Sequence, residues 1–416
     1  MTKLRRHVAR TFAALALLLG LQATVSANDL DDAFAAYKRG DFKTASHLLK
    51  PLAEEGNAEA QETLGFMYAT GQAVPQNDAE AARWYRKAAE QGYAPSEYNL
   101  GVMYYLGRGV PQDDTEAAKW FRGAAGQGDA DAQFYLGALC YEGRGVPQDY
   151  AEAAKWFRKA ADQGNASARF DLGIIYDRGE GIPQNAAEAA KWYRLAAGQG
   201  IVEAQLSLGF MYDQGRGVPQ DDAEAAKWFR KAAAQGNASG QLNLGIIYDQ
   251  GHGVPQDYAE AAKWYRKAAE QGNANAQFNL GFLYDQGRGV TRDYTEAAKW
   301  FRKAAEQGLV LAQYGLGVLY GNGQGVQQDY SAAVKWYRMA AERGNAAAQN
   351  SLGMMYVKGE GVTQDYVQAH MWFDLATAQG NHHALENRDR VAAHMTPADV
   401  SKAQQLARDW LAQHQQ

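Results

Sequence analysis

The sequence predicts an all-α solenoid of stacked antiparallel helix hairpins with a period of 36 residues. Three observations carry that expectation. Tryptophan stands at Trp84, Trp120, Trp156, Trp192, Trp228, Trp264, Trp300, Trp336 and Trp372, always 36 residues apart. A Leu-Gly pair keeps the same step from Leu64-Gly65 to Leu352-Gly353. One phrase, GRGVPQDDAEAAKWFRKAAAQGNA at 215–238, returns at 251–274 as GHGVPQDYAEAAKWYRKAAEQGNA. Units in register, with no insertion or deletion, mark a solenoid, which grows linearly and needs no central core.

The chain opens with Lys3, Arg5, Arg6 and Arg10 ahead of the apolar run FAALALLLGL, followed by small residues ending in Val25-Ser26-Ala27. This reads as a secretory signal peptide over 1–27, too short in its apolar run to span a bilayer comfortably. No cysteine follows the run, so a bacterial lipoprotein anchor is not expected. Cleavage would remove four basic residues and no acidic one, moving the net charge from −5 to −9. That charge disfavours nucleic acid and anionic membrane as partners. The expected location is the periplasm or the medium, and no stable membrane anchor is expected. Cys140 is the only cysteine, so no internal disulfide is possible.

Each repeat divides into two helices. In 58–93, Ala60, Leu64, Met67 and Tyr68 form one apolar face at helical spacing. Gly65, inside that helix, destabilises it unless a neighbour needs the close approach, so the partner helix is expected to cross there. The loop GQAVPQN, elsewhere GRGVPQD, is punctuated by glycine and proline. Its G-x-G is not a phosphate loop, because no strand precedes it and no Gly-Lys-Ser/Thr follows. The second helix opens with an acid pair three apart: Asp113 and Glu116, Asp149 and Glu152, Asp221 and Glu224, Asp257 and Glu260, Asp293 and Glu296. These read as capping boxes, with the aspartate taking a free N–H and the glutamate reaching back. Trp84, Ala88 and Ala89 supply the buried face, and Gly-Asn, as at Gly236-Asn237, ends the helix at a left-handed C-cap.

The unit A-x-A-Q-x-x-L-G-x-x-Y-x-x-G-x-G-V-x-x-D-x-x-x-A-x-x-W-x-x-x-A-A-x-x-G-N closely resembles the Sel1-like repeat, a relative of the tetratricopeptide repeat. The resemblance covers nine units over 58–381 and implies a right-handed α-solenoid. Residues 28–57, with Tyr37, Gly40-Asp41-Phe42 and Ala45, resemble a tetratricopeptide-like N-terminal capping hairpin. The tail 382–416 departs from the repeat. Thr396-Pro397-Ala398-Asp399 is a further capping box, starting a helix towards Trp410 that is expected to cap the array.

Little in the chain points to catalysis, and no catalytic residue, metal site or cofactor is expected. The histidines lack a metal-binding repeat spacing, and His382-His383 with Glu386 reads as a polar turn. Cys140 occupies a slot that holds tyrosine in the other eight units and reads as a small buried hydrophobe. Some secreted Sel1-like proteins are penicillin-binding or β-lactamase-like, which offers an envelope hydrolase as the alternative. Those are cysteine-rich, and this chain is not.

The remaining expectation is a binding surface. The resemblance implies that the first helix of each hairpin lines a concave groove. Opposite Leu64 and Met67 lie positions 62, 66 and 69. Position 62 supplies Tyr98, Phe134, Phe170, Phe278 and Tyr314; position 66 is apolar throughout; position 69 supplies Asp177, Asp213, Asp249 and Asp285. The rows at 62 and 66 serve either packing against neighbouring repeats or the apolar floor of the groove. The expected ligand is a protein or peptide with basic and apolar residues, held by a scaffold, adaptor or regulator of an envelope partner, or by a secreted host-interaction factor. The chain itself is expected to be a monomer. The arginines Arg122, Arg158, Arg194, Arg230, Arg266, Arg302 and Arg338 are assigned to the solvated opposite surface.

Overall fold

The computed structural model describes residues 27–414. The expected signal peptide lies outside them, save for Ala27, where the first helix begins. Among the described residues the fold consists of 22 α-helices and no strand. They form two compact units that divide between Gln184 and Asn185, so the two helices of the fourth repeat fall in different units.

One repeat explains the rest. Helix Ala58–Thr70 opens at Asn57, whose side-chain oxygen accepts the Ala60 N–H at 2.9 Å. Asparagine is favoured there because it satisfies an N–H that has no partner within the helix. The helix closes at Gly71, φ 73°, in the left-handed region that glycine enters without a Cβ penalty. The second glycine of each loop meets the hairpin before it. A Cβ on Gly109 would strike the Asp78 carbonyl, and one on Gly145 the Asp114 carbonyl. The G-x-G is therefore a joint between hairpins. In the first unit the arginine between the glycines reinforces it, with Arg108 2.9 Å from Asp78 and Arg144 2.9 Å from Asp114.

The second helices begin at the expected aspartates, with Asp113 accepting the Glu116 N–H at 3.1 Å and Asp257 the Glu260 N–H at 3.0 Å. The glutamate half of the box does not form. Each aspartate N–H already donates to a carbonyl near the end of the preceding helix, as in Asp113 to Tyr104 at 3.1 Å, Asp149 to Cys140 at 2.9 Å and Asp257 to Tyr248 at 2.9 Å. With no N–H to reach for, the glutamates turn along the helix to lysine, at 3.3 Å for Glu116 with Lys119 and 2.8 Å for Glu224 with Lys227. Such exposed pairs contribute little stability.

The core follows the expected face. Trp84, Ala88 and Ala89 are buried, and so is Tyr85. Helix crossing at the Leu-Gly pair is observed directly: a Cβ on Gly65 would lie 2.8 Å from the Tyr85 ring, and one on Gly209 2.6 Å from the Phe229 ring. The tryptophans reach back. Trp84 belongs to the core of Ala33, Ala36, Leu49, Leu64 and Met67, and Trp300 to that of Ala261, Tyr265, Leu280 and Leu283.

A second link was not read from the sequence. Gln133, buried in its first helix, donates to the Ala125 carbonyl of the previous hairpin at 3.1 Å and accepts from Gln163, at the end of its own hairpin, at 2.9 Å. Gln205, Gln241, Gln277 and Gln349 repeat the arrangement in the second unit. The signal was present, since glutamine recurs in both A-x-A-Q and Q-G-N at the repeat step. A buried amide requires partners, and these glutamines find them on two hairpins.

At the C-terminus, helices His382–Ala392 and Pro397–His414 follow the last repeat. Here a full capping box forms, with the Asp399 N–H donating to Thr396 Oγ1 at 3.2 Å and the Thr396 N–H to Asp399 Oδ2 at 3.4 Å. Trp410 meets Trp372 edge-on at 6.2 Å, and Ala407 joins the core of Met371, Trp372 and Leu375.

Candidate binding face

The three rows opposite Leu64 and Met67 have different fates. Position 62 turns inward onto the aromatic ring that crosses at the Leu-Gly pair. In the first unit Tyr98 lies 6.1 Å from Phe121, and Phe134 lies 5.9 Å from Phe157 and is only 6% exposed. Phe134 is thus core and not groove floor. Phe170 is half-buried. In the second unit Phe278 stacks on Phe301 at 5.6 Å and Tyr314 lies 5.9 Å from Tyr337. The row is used for packing because the glycine opposite it admits the crossing ring so closely that the neighbouring side chain must cover it.

Position 66 is the row left open in places. Val102 is buried, whereas Phe210 is 36% and Phe282 40% exposed. Phe210 meets Phe229 edge-on at 5.1 Å, and Phe282 lies 6.4 Å from Phe278.

Position 69 changes character along the chain. Tyr105 and Tyr141 occupy it in the first unit. Arg144 Nη1 donates to the Tyr105 hydroxyl at 3.3 Å, and Tyr141 donates to Glu180 at 2.6 Å. Asp177, half-buried, also belongs to that unit. Asp213, Asp249 and Asp285 occupy the same place on three successive first helices of the second unit, and all three are half-buried. Asp249 accepts the Tyr265 hydroxyl at 3.2 Å, and Asp285 accepts from Gln286 Nε2 at 2.5 Å. Burial raises the Asp249 pKa, opposed by the Tyr265 hydroxyl and Arg288.

The arginines of the second helices are not merely solvated. All but Arg122 donate to the hydroxyl of a first-helix tyrosine 18 residues on, at 2.7 Å for Arg302 with Tyr320 and 2.8 Å for Arg338 with Tyr356. Arg158 pairs with Tyr176, Arg194 with Tyr212, Arg230 with Tyr248 and Arg266 with Tyr284. The slot opposite Arg122 holds Cys140 in place of tyrosine. Cys140 is buried, and burial pushes its thiol pKa up, which is the opposite of what a nucleophile needs.

Two acids of the first unit titrate far from their ordinary range. Burial, and then the neighbouring Glu59, pushes Glu62 up to about 7; burial, and then Glu142, pushes Asp171 up to about 7. Glu62 accepts from Asn99 at 3.2 Å. A carboxyl whose folded pKa is raised binds its proton more tightly folded than unfolded. Stability therefore falls as pH rises from the ordinary carboxyl range through 7. The first unit is expected to unfold at lower urea concentration at pH 8 than at pH 5.5, with the difference shrinking in Glu62→Gln/Asp171→Asn. An unchanged slope in the double variant would refute the assignment.

Among the described residues, no group of three or more His, Cys, Asp or Glu side chains could hold a metal, and no helix is long and apolar enough to cross a membrane. His370, in the slot that holds alanine in most units, is buried with Nδ1 3.0 Å from Asp374, which Arg388 approaches at 3.5 Å.

Comparison with known proteins fits this architecture. The Sel1 repeat matches nine consecutive segments, from 58–93 to 346–381. A protective antigen present in uropathogenic Escherichia coli strains, which displays an SLR fold, is 38% identical at a TM-score of 0.66, over 92% of this chain and 91% of that one. A Sel1 repeat protein from Oxalobacter formigenes is 35% identical at a TM-score of 0.59, over 74% of this chain and 89% of that one. No curated protein matches. Such repeat proteins are generally protein–protein interaction scaffolds and typically non-enzymatic. With nine matched repeats spanning most of its length, and helix hairpins stacked as those repeats require, the chain belongs to the Sel1 repeat family.

Proposed function

We propose that this chain is an exported, non-enzymatic scaffold that binds a partner protein of the bacterial envelope through the faces of its first helices. The observation that carries the reading is the face itself. After the hairpins have packed, position 66 still exposes large apolar rings, and position 69 still sets carboxylates beside them in the second unit. Packing covers Phe134 at position 62, whereas Phe210 and Phe282 at position 66 keep 36% and 40% of their surface open beside Asp213 and Asp285, so one helix face offers apolar and charged contacts together. Export is supported by the basic-apolar-small sequence of 1–27. A host-facing role is the second reading, favoured by the likeness to a protective antigen.

The test joins location and contact. Cell fractionation should recover a chain shortened by its leader outside the cytoplasm; full-length protein retained in the cytoplasm would sink the export reading. The shortened chain, as bait in envelope extract, should capture a partner that is lost in Ile174→Ser or Phe282→Ser, both in the row at 66, and retained in Arg158→Ala/Arg230→Ala/Arg302→Ala. The reverse pattern would move the contact to the second helices. Turnover of nitrocefin or covalent labelling by penicillin would replace the scaffold by the hydrolase alternative.

A further inference from the structure

We propose that the second unit takes one basic, amphipathic segment of a partner protein across two matched ring–carboxylate pairs, Phe210 with Asp213 and Phe282 with Asp285. This rests on the first-helix reading above and narrows it to one part of the surface and one ligand chemistry. Each pair stands three residues apart, on helices Val202–Gln214 and Ala274–Gln286. At that spacing the ring and the carboxylate lie on the same helix face. Both rings are braced, Phe210 by Phe229 at 5.1 Å and Phe282 by Phe278 at 6.4 Å, so little freedom remains to be lost on binding. Helix Ala238–Gln250 carries Ile246 and Asp249 at the equivalent positions, with an aliphatic side chain where the two pairs have a ring.

The chain itself displays the chemistry this face accepts. Arg288, from the loop after the second pair, holds its guanidinium 5.9 Å from the centre of the Phe282 ring and 5.6 Å from that of Tyr258, and its charge favours the Asp249 carboxylate. A cation over a ring, close to a carboxylate, combines cation–π attraction with ion pairing. Lysine or arginine alternating with aliphatic residues meets both demands, whereas an acidic segment would be repelled by the carboxylates.

The probe is a labelled Lys–Leu amphipathic peptide of about 20 residues, about 30 Å long as a helix, with its Glu–Leu counterpart. Binding to the full mature chain is read by fluorescence anisotropy at low and physiological salt. The Lys–Leu peptide should bind and the Glu–Leu peptide should not. Asp213→Asn/Asp285→Asn, nearly unchanged in shape, should weaken binding about tenfold, equivalent to about 1.4 kcal/mol, and flatten its salt dependence. Phe210→Ser/Phe282→Ser should weaken it at both salt levels, and Glu224→Gln/Glu296→Gln on the second helices should not. If the Phe variant melts early, the Asp variant decides alone. Wild-type affinity in the Asp variant, an equal loss in the second-helix control, or preference for the Glu–Leu peptide overturns the proposal. A partner lost from Ile174→Ser, at position 66 in the first unit, but not from these variants overturns the assignment and leaves the first-helix reading standing.

Discussion

Trp228→Ala should cost about 3–5 kcal/mol, the range for truncating a large aromatic side chain in a core. Trp228 is 7% exposed on helix Asp222–Ala234, and Lys231 lies 4.2 Å from the centre of its ring. The same helical position elsewhere in the second unit serves the hairpin before it: Trp264 packs on the core of Ala225, Phe229 and Leu244, and Trp300 joins that of Ala261 and Leu280. Removing the indole should therefore loosen an interface between hairpins as well as the hairpin that carries it. In a linear array, stability is the sum of repeat and interface contributions, so the loss should appear as earlier urea unfolding of the second unit. A midpoint within error of wild type would show that the ring is not buried in solution.

Gly245→Ala should destabilise by about 1–3 kcal/mol, although the same change in an ordinary helix interior stabilises by about 1 kcal/mol. The sign reverses because a Cβ at 245 would lie 2.5 Å from Tyr265 Cδ1 and 2.6 Å from Cε1. The ring cannot step aside easily, since Tyr265 is 1% exposed and its hydroxyl is bonded to Asp249. Gly198→Ala is the matched control: it also lies in a helix, nothing stands within 4 Å of its Cβ, and the change should be neutral or mildly stabilising. Thermal and urea unfolding of both variants decide the matter. Equal effects at the two sites would mean that helix propensity and not close approach governs the recurrent Leu-Gly pair.

The repeat period, the two helices of each repeat and the aspartate caps were legible in the sequence because each is local or strictly periodic. A Leu-Gly pair at constant spacing can be explained only by a contact made in every repeat. What the sequence could not assign was which of several equally apolar rows that contact would cover. Positions 62 and 66 read alike, yet Phe134 is covered by the crossing ring of its hairpin while Phe282 stays open. The period repeats both rows faithfully and says nothing about the angle at which the next helix arrives. Likewise, Asp113 and Glu116 have the spacing of a capping box, but only the fold shows that the Asp113 N–H is already held by the Tyr104 carbonyl. Gln133 joins residues on two hairpins, and such a pairing exists only once the hairpins have stacked. Local hydrogen bonding and spacing can thus be read from neighbours in the chain; the choice between competing apolar faces and competing acceptors belongs to tertiary packing, because only packing decides which surfaces leave water.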